Sequence, residues 1–161
     1  MQRVLISAVA LTVLLAAPAF ALVTSTPLPA QGITPAEMAQ LLAQHQMTPK
    51  LTQGADGQPI VDARSAGVGF DVSFGGCHDG RCQDIYFEVG WSNAKGNAQL
   101  TPERINAWNS RDKFLRASMS PDNTLWAAMD ARVAYGSTAN AEEYIVLWAE
   151  RLHAFKSFMG L

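Results

Sequence analysis

The sequence predicts an α+β domain, with an antiparallel sheet, helices covering one face and the element order α-β-β-β-β-α-β-β-α. Three observations predict it. Apolar residues recur with period two from Lys50 to Trp91 and with helical spacing before and after that stretch. Asp-Gly turn signals sit between the alternating segments, at Asp56-Gly57 and Asp79-Gly80. Thr-Pro pairs at Thr34-Pro35 and Thr101-Pro102 open helices on either side of the first four strands.

The first helix starts at Thr34 (N-cap), with Pro35 at N1 and Glu37 at N3 completing a capping box. Ile33 and Met38 form a hydrophobic staple. Met38, Leu41, Leu42 and His45 follow on one face, and Pro49 marks the end. Strands Lys50–Gln53 and Ile60–Arg64 flank Asp56-Gly57. Ser65-Ala66-Gly67 then turns the chain into Val68–Phe74.

The next turn is the most informative. His78-Asp79-Gly80-Arg81 separates Cys77 from Cys82. Asp-Gly suits a two-residue type I′ turn, whose central residues both need positive φ. With that tip, His78 faces Arg81, and Cys77 faces Cys82 in a non-hydrogen-bonded pair, where Cα atoms approach to about 4.5 Å. That separation is compatible with a disulfide. The same register pairs Phe74 with Ile85, Val72 with Phe87, Phe70 with Val89 and Val68 with Trp91, all on one face. The return strand is Asp84–Trp91, and Ser92–Gln99 is a polar loop around Gly96.

Thr101 caps a short second helix that ends near Asn109, with Leu100 and Ile105 as its staple and Trp108 one turn on. Pro121-Asp122-Asn123 makes a hairpin turn with a left-handed Asn123. It sets Met119 by Leu125, Ala117 by Ala127 and Leu115 by Met129. The longest helix follows Gly136–Asn140, with Asn140 and Glu143 as its cap pair. Ala141, Tyr144, Ile145, Trp148, Leu152, Phe155 and Met159 form its stripe, and Gly160 ends it.

Residues 1–21 read as an export signal. A positive start at Arg3 and an apolar run from Val4 to Ala17 precede an Ala19-Phe20-Ala21 cleavage site. The run is short for a bilayer span, so no stable membrane span is expected after cleavage. The expected location is the periplasm or the medium. Residues 22–32, with Pro27 and Pro29, read as a flexible linker, and residues 33–161 as the domain. Cleavage after Ala21 leaves eleven basic and fourteen acidic residues, a net charge of −3. Such a surface has no cationic excess for phosphates, which argues against nucleic acid as a partner. Two cysteines in an exported chain favour one bridge, Cys77–Cys82. The short loop gives it about 2 kcal/mol.

No nucleophile elbow, P-loop or dinucleotide fingerprint occurs, so no catalytic residue and no cofactor is assigned. His45, His78 and His153 lack partners at metal-ligand spacing and read as ordinary histidines. A soft-metal cluster at Cys77, His78, Asp79 and Cys82 conflicts with the opposite directions of neighbouring strand residues. No metal is expected. Asp71, Asp84 and Glu88 fall on the sheet face opposite Phe70 and Phe87, with Asp71 across from Glu88. Like charges placed opposite each other are destabilising, and a cation or basic partner would relieve them. Arg81 or Arg116 could also do so. Trp91, Trp108 and Trp148 take core positions, whereas Trp126 and Phe114 fall on the second face as a partner-binding patch.

Gly80-Arg81-Cys82-Gln83-Asp84-Ile85-Tyr86-Phe87, Leu100-Thr101-Pro102-Glu103-Arg104-Ile105-Asn106-Ala107-Trp108-Asn109, Lys113-Phe114-Leu115-Arg116-Ala117 and Leu147-Trp148 together resemble the YbjN domain family, over roughly Ile33 to Met159. The resemblance implies a fold like that of type III secretion chaperones and a role in bacterial sensory regulation. It implies no reaction and no catalytic residue. The expected function is a non-enzymatic binding module whose partner is another protein or a second copy of the chain. The alternative is a small-ligand or cation sensor using Asp71, Asp84 and Glu88. An enzyme with an unrecognised site is a third reading.

Overall fold

The computed structural model describes residues 25–65, 67–92, 97 and 99–161. The expected signal and its cleavage site lie outside the described residues, as does most of the Ser92–Gln99 loop. The elements are α1 (Pro35–Gln44), β1 (Lys50–Gln53), β2 (Pro59–Ser65), β3 (Val68–His78), β4 (Arg81–Trp91), α2 (Pro102–Arg111), β5 (Arg116–Met119), β6 (Leu125–Arg132) and α3 (Thr138–Met159). This is the predicted order. The strands form one antiparallel sheet in the order β1-β2-β3-β4-β6-β5. The β5–β6 hairpin inserts β6 beside β4, so β5 becomes an edge.

The β3–β4 turn has Asp79 at φ 50° and Gly80 at φ 77°. Val72 pairs with Phe87, Phe74 with Ile85, Cys77 with Cys82 and His78 with Arg81, as the turn predicts. Cys77 and Cys82 form a disulfide with Cα atoms 4.0 Å apart. Both strands run further into the turn than the alternation suggested. Burial along β4 falls out of phase near the tip, where Cys82 and Ile85 are both buried. On the other strand Gly76 takes φ 60°.

The starts of α1 and α2 follow the sequence. Thr34 accepts from the Glu37 N–H at 3.1 Å, and the Glu37 carboxylate accepts from the Thr34 N–H at 2.8 Å. α1 stops at Gln44, before Pro49, because Gln46 turns left-handed at φ 60°. Thr101 caps α2 as expected. The cap of α3 is one turn earlier than predicted. Ser137 is the N-cap and Asn140 sits at N3, completing the box that had been assigned to Asn140 and Glu143. Serine wins because its hydroxyl reaches the N3 amide while Asn140 reaches back to the Ser137 N–H at 3.0 Å.

The core lies between the helices and one sheet face. Trp148 of α3 is fully buried, with its ring 5.6 Å from Phe70 and 5.5 Å from Phe87. Phe155 meets Trp108 at 5.1 Å and Trp91 at 5.7 Å, which ties α2 and β4 to the same helix. Each such fully buried side chain contributes about 1.5–3 kcal/mol.

The lead-in, expected to be a flexible linker over residues 22–32, is docked from Thr26 onward. The Leu28 N–H donates to Gly136 at 3.0 Å, the Thr138 N–H donates to Thr26 at 2.9 Å, and Ile33 exchanges hydrogen bonds with Cys82. Leu28 and Ile33 are buried. Apolar burial and main-chain pairing outweigh the entropy that the Pro, Ser and Thr composition suggested.

Candidate binding face

Among the described residues, no helix packs on the sheet face opposite α1, α2 and α3. Across its middle runs one transverse row: Lys50, Asp62, Asp71, Glu88, Ala128 and Arg116 are successive cross-strand partners. Three carboxylates therefore stand side by side on β2, β3 and β4, with bases at the two ends. Asp71 is the middle one. Partial burial pushes its carboxyl above the ordinary value, and the neighbouring Asp62 and Glu88 push it the same way. Asp62 takes some relief from the Thr52 hydroxyl at 3.2 Å. The Asp71–Glu88 opposition was legible in the sequence, whereas Asp62 was missed. The signal was present, since Ser65-Ala66-Gly67 sets the β2–β3 register that pairs Asp62 with Asp71.

Asp84 does not join this row. It lies four residues along β4 from Glu88, roughly 13 Å at strand rise. Its carboxylate pairs with Arg132 at 3.2 Å. The bases expected to neutralise the acidic face are committed elsewhere. Arg81 reaches Glu37 at 2.8 Å, and Arg116 pairs with Asp130. Among the described residues, no three His, Cys, Asp or Glu side chains gather closely enough to hold a metal ion.

Trp126 is 40% exposed. It pairs with Gly90 on one side and Ser118 on the other. Its indole lies flat over Gly90, where a Cβ would stand 3.0 Å from two ring carbons. Glycine at this position therefore makes the seat for the ring. Trp126 is also the diagonal neighbour of Glu88, because Glu88 pairs with Ala128 two residues along β6. The structure thus brings an exposed aromatic and the carboxylate row together on one face.

Phe114 is 52% exposed and follows a turn in which the Asp112 carboxylate accepts from the N–H groups of Phe114 and Leu115. It lies in the bend before β5, four residues ahead of Ser118, the β5 partner of Trp126. His78 and His153 are exposed, and His45 is the partly buried C-cap of α1.

Among the described residues, no helix is long and apolar enough to cross a membrane. No curated protein matches the chain in sequence. A family model described as "Putative bacterial sensory transduction regulator" matches residues 34–160, which spans every element from the α1 capping box to the end of α3. On that match, the chain belongs to the YbjN family.

Proposed function

We propose that this YbjN domain is an exported, non-enzymatic regulatory module that docks another polypeptide on the open face of its sheet. The observation that carries the reading is Trp126, held flat and exposed over Gly90 beside Glu88. An indole fixed in that way offers a large apolar contact area at small conformational cost, as interface aromatics do. The family's regulatory description and the chaperone-like fold implied by the resemblance support a binding role. The signal-like N-terminus and the disulfide support an oxidising compartment outside the cytoplasm.

The test is capture from periplasmic extract with the purified domain and its Trp126→Ala variant as baits. The expected result is a partner retained by the parent and lost by the variant. Equal retention by both baits removes the sheet face from the reading.

A second reading, a cation or small-ligand sensor, draws on the negative charge of the opposed carboxylates Asp62, Asp71 and Glu88, which stand in a row and are not gathered into a metal cage. Asp84, the third carboxylate that the sequence suggested, is paired with Arg132 and lies further along β4. Calorimetric titration with calcium separates the readings: stoichiometric binding lost in Asp71→Asn favours the sensor.

A further inference from the structure

We infer that Cys77 is a site of thiol–disulfide exchange, and that opening its bond to Cys82 unfastens the segment leading into α1. The two sulfur-bearing residues are unequal. Cys77 is exposed on the last part of β3, whereas Cys82 is 2% exposed. An incoming thiolate therefore meets Cys77, and Cys82 is the leaving group.

The hairpin tip that carries the bond is set off from the rest of the ladder. Gly76 has φ 60°, and the ladder pairs on its two sides are Gly75 with Asp84 and Cys77 with Cys82. Beyond that break, the tip consists of the cysteine pair, the His78–Arg81 pair and the Asp79-Gly80 turn. The disulfide is its covalent fastening.

The same tip clamps the start of the domain. The Cys82 N–H donates to Ile33 at 2.7 Å, and the Ile33 N–H donates back to Cys82 at 2.9 Å. Arg81, the adjacent residue, donates from Nε to the Gly32 carbonyl at 3.0 Å and from Nη2 to Glu37 at 2.8 Å. Glu37 in turn holds the Thr34 N–H in the α1 capping box. Gly32 sits so close that a Cβ would collide with the Cys82 carbonyl oxygen. Hydrogen bonds from Cys82 and the adjacent Arg81 therefore tie the hairpin tip to Gly32, Ile33 and the first turn of α1. When the tip loosens, Cys82 and Arg81 withdraw from Gly32, Ile33 and Glu37 together.

The chemistry needs a dithiol. One thiolate of the dithiol attacks Cys77 Sγ. The Cys77–Cys82 bond breaks as the mixed disulfide forms, and Cys82 leaves as a thiolate and takes up a proton. The second thiol of the reductant, after losing its proton, attacks the mixed disulfide and expels Cys77 as a thiolate, which is protonated. The protein gains two electrons and two protons, and the dithiol becomes a disulfide.

The experiment compares the oxidised protein with the same protein fully reduced by dithiothreitol, using hydrogen exchange read by mass spectrometry. The expected result is exchange about tenfold faster at the amides of Ile33, Glu37 and Cys82, with the amides of α3 unchanged. The Cys77→Ser, Cys82→Ser double variant should show the reduced pattern with or without dithiothreitol. In parallel, glutathione is added to the oxidised protein, the mixed disulfide is trapped with acid, and the adduct is mapped to Cys77. Unchanged protection at Ile33 and Glu37 after complete reduction overturns the inference, as does an adduct on Cys82.

Discussion

Asn109 of α2 grips Ala117 of β5 by both ends of its carboxamide. Oδ1 accepts from the Ala117 N–H at 2.8 Å, and Nδ2 donates to the Ala117 carbonyl at 2.9 Å. A side chain thus stands in for the neighbouring strand that an edge lacks. Unpaired edge groups otherwise recruit other chains. Trp108, one residue earlier, adds an indole N–H bond to Leu115 at 2.8 Å. Asn109→Ala should cost about 1–3 kcal/mol, because it leaves two main-chain groups without partners. Asn109→Asp, which keeps the acceptor for the Ala117 N–H but sets a carboxylate oxygen against the Ala117 carbonyl, should cost at least as much at neutral pH. Urea denaturation measures the order of the three proteins, and light scattering should show self-association in Asn109→Ala alone.

Core and surface tryptophans should separate cleanly. Trp148→Ala removes a side chain enclosed by Phe70 and Phe87 and should cost about 3–5 kcal/mol. Trp126→Ala uncovers Gly90 and should leave the midpoint of unfolding nearly unchanged. If the two variants lose similar stability, Trp126 belongs to the core and the open face has no anchor.

Removing the disulfide should leave a folded domain. The Cys77→Ser, Cys82→Ser variant closes no loop in the unfolded chain and should lose about 2 kcal/mol or less. Thermal unfolding followed by circular dichroism checks this, and loss of the native spectrum at 25 °C would contradict it.

Asp71 gives the domain a pH signature. Burial, then Asp62, then Glu88 raise its carboxyl above 3.8, so the native state binds the proton more readily than the unfolded chain. Its contribution to stability therefore falls as pH rises from the ordinary carboxylate value through the raised one, and is level above that. Asp71→Asn should be more stable than the parent at neutral pH by a few tenths to about 1 kcal/mol. The difference should shrink as the pH is lowered through the raised value. Glu37 behaves in the opposite sense. Burial opposes its ionisation, but hydrogen bonds from Thr34 and the Arg81 charge outweigh it and lower its value. Glu37 is common to both proteins, so the difference between parent and variant isolates Asp71.

Local turns made much of the fold readable. Asp79-Gly80 allowed one register, and Asn123 at φ 65° did the same for β5 and β6, pairing Ala117 with Ala127 and Met119 with Leu125. The capping box at Thr34 and the stripe through Trp148 were equally local. What escaped was the pairing of β4 with β6, which no turn specifies because α2 and β5 intervene. That pairing seats Trp126 over Gly90 and beside Glu88, and it brings Arg132 to Asp84. The candidate residues could therefore be named from the sequence, but not their grouping. The partners of the lead-in, at Cys82 and Gly136, escaped for the same reason, since they are distant along the chain.

That lead-in also dictates an order of events. Thr26 is bonded to Thr138, 112 positions later, and Leu28 to Gly136. A chain made or threaded from its amino end delivers Thr26 to Ile33 first. Gly32 and Ile33 find their partners when Arg81 and Cys82 arrive, whereas Thr26 and Leu28 must wait, unpaired, until the start of α3. The earliest part of the domain to emerge is thus among the last to be fastened, and a chain halted before residue 136 cannot close.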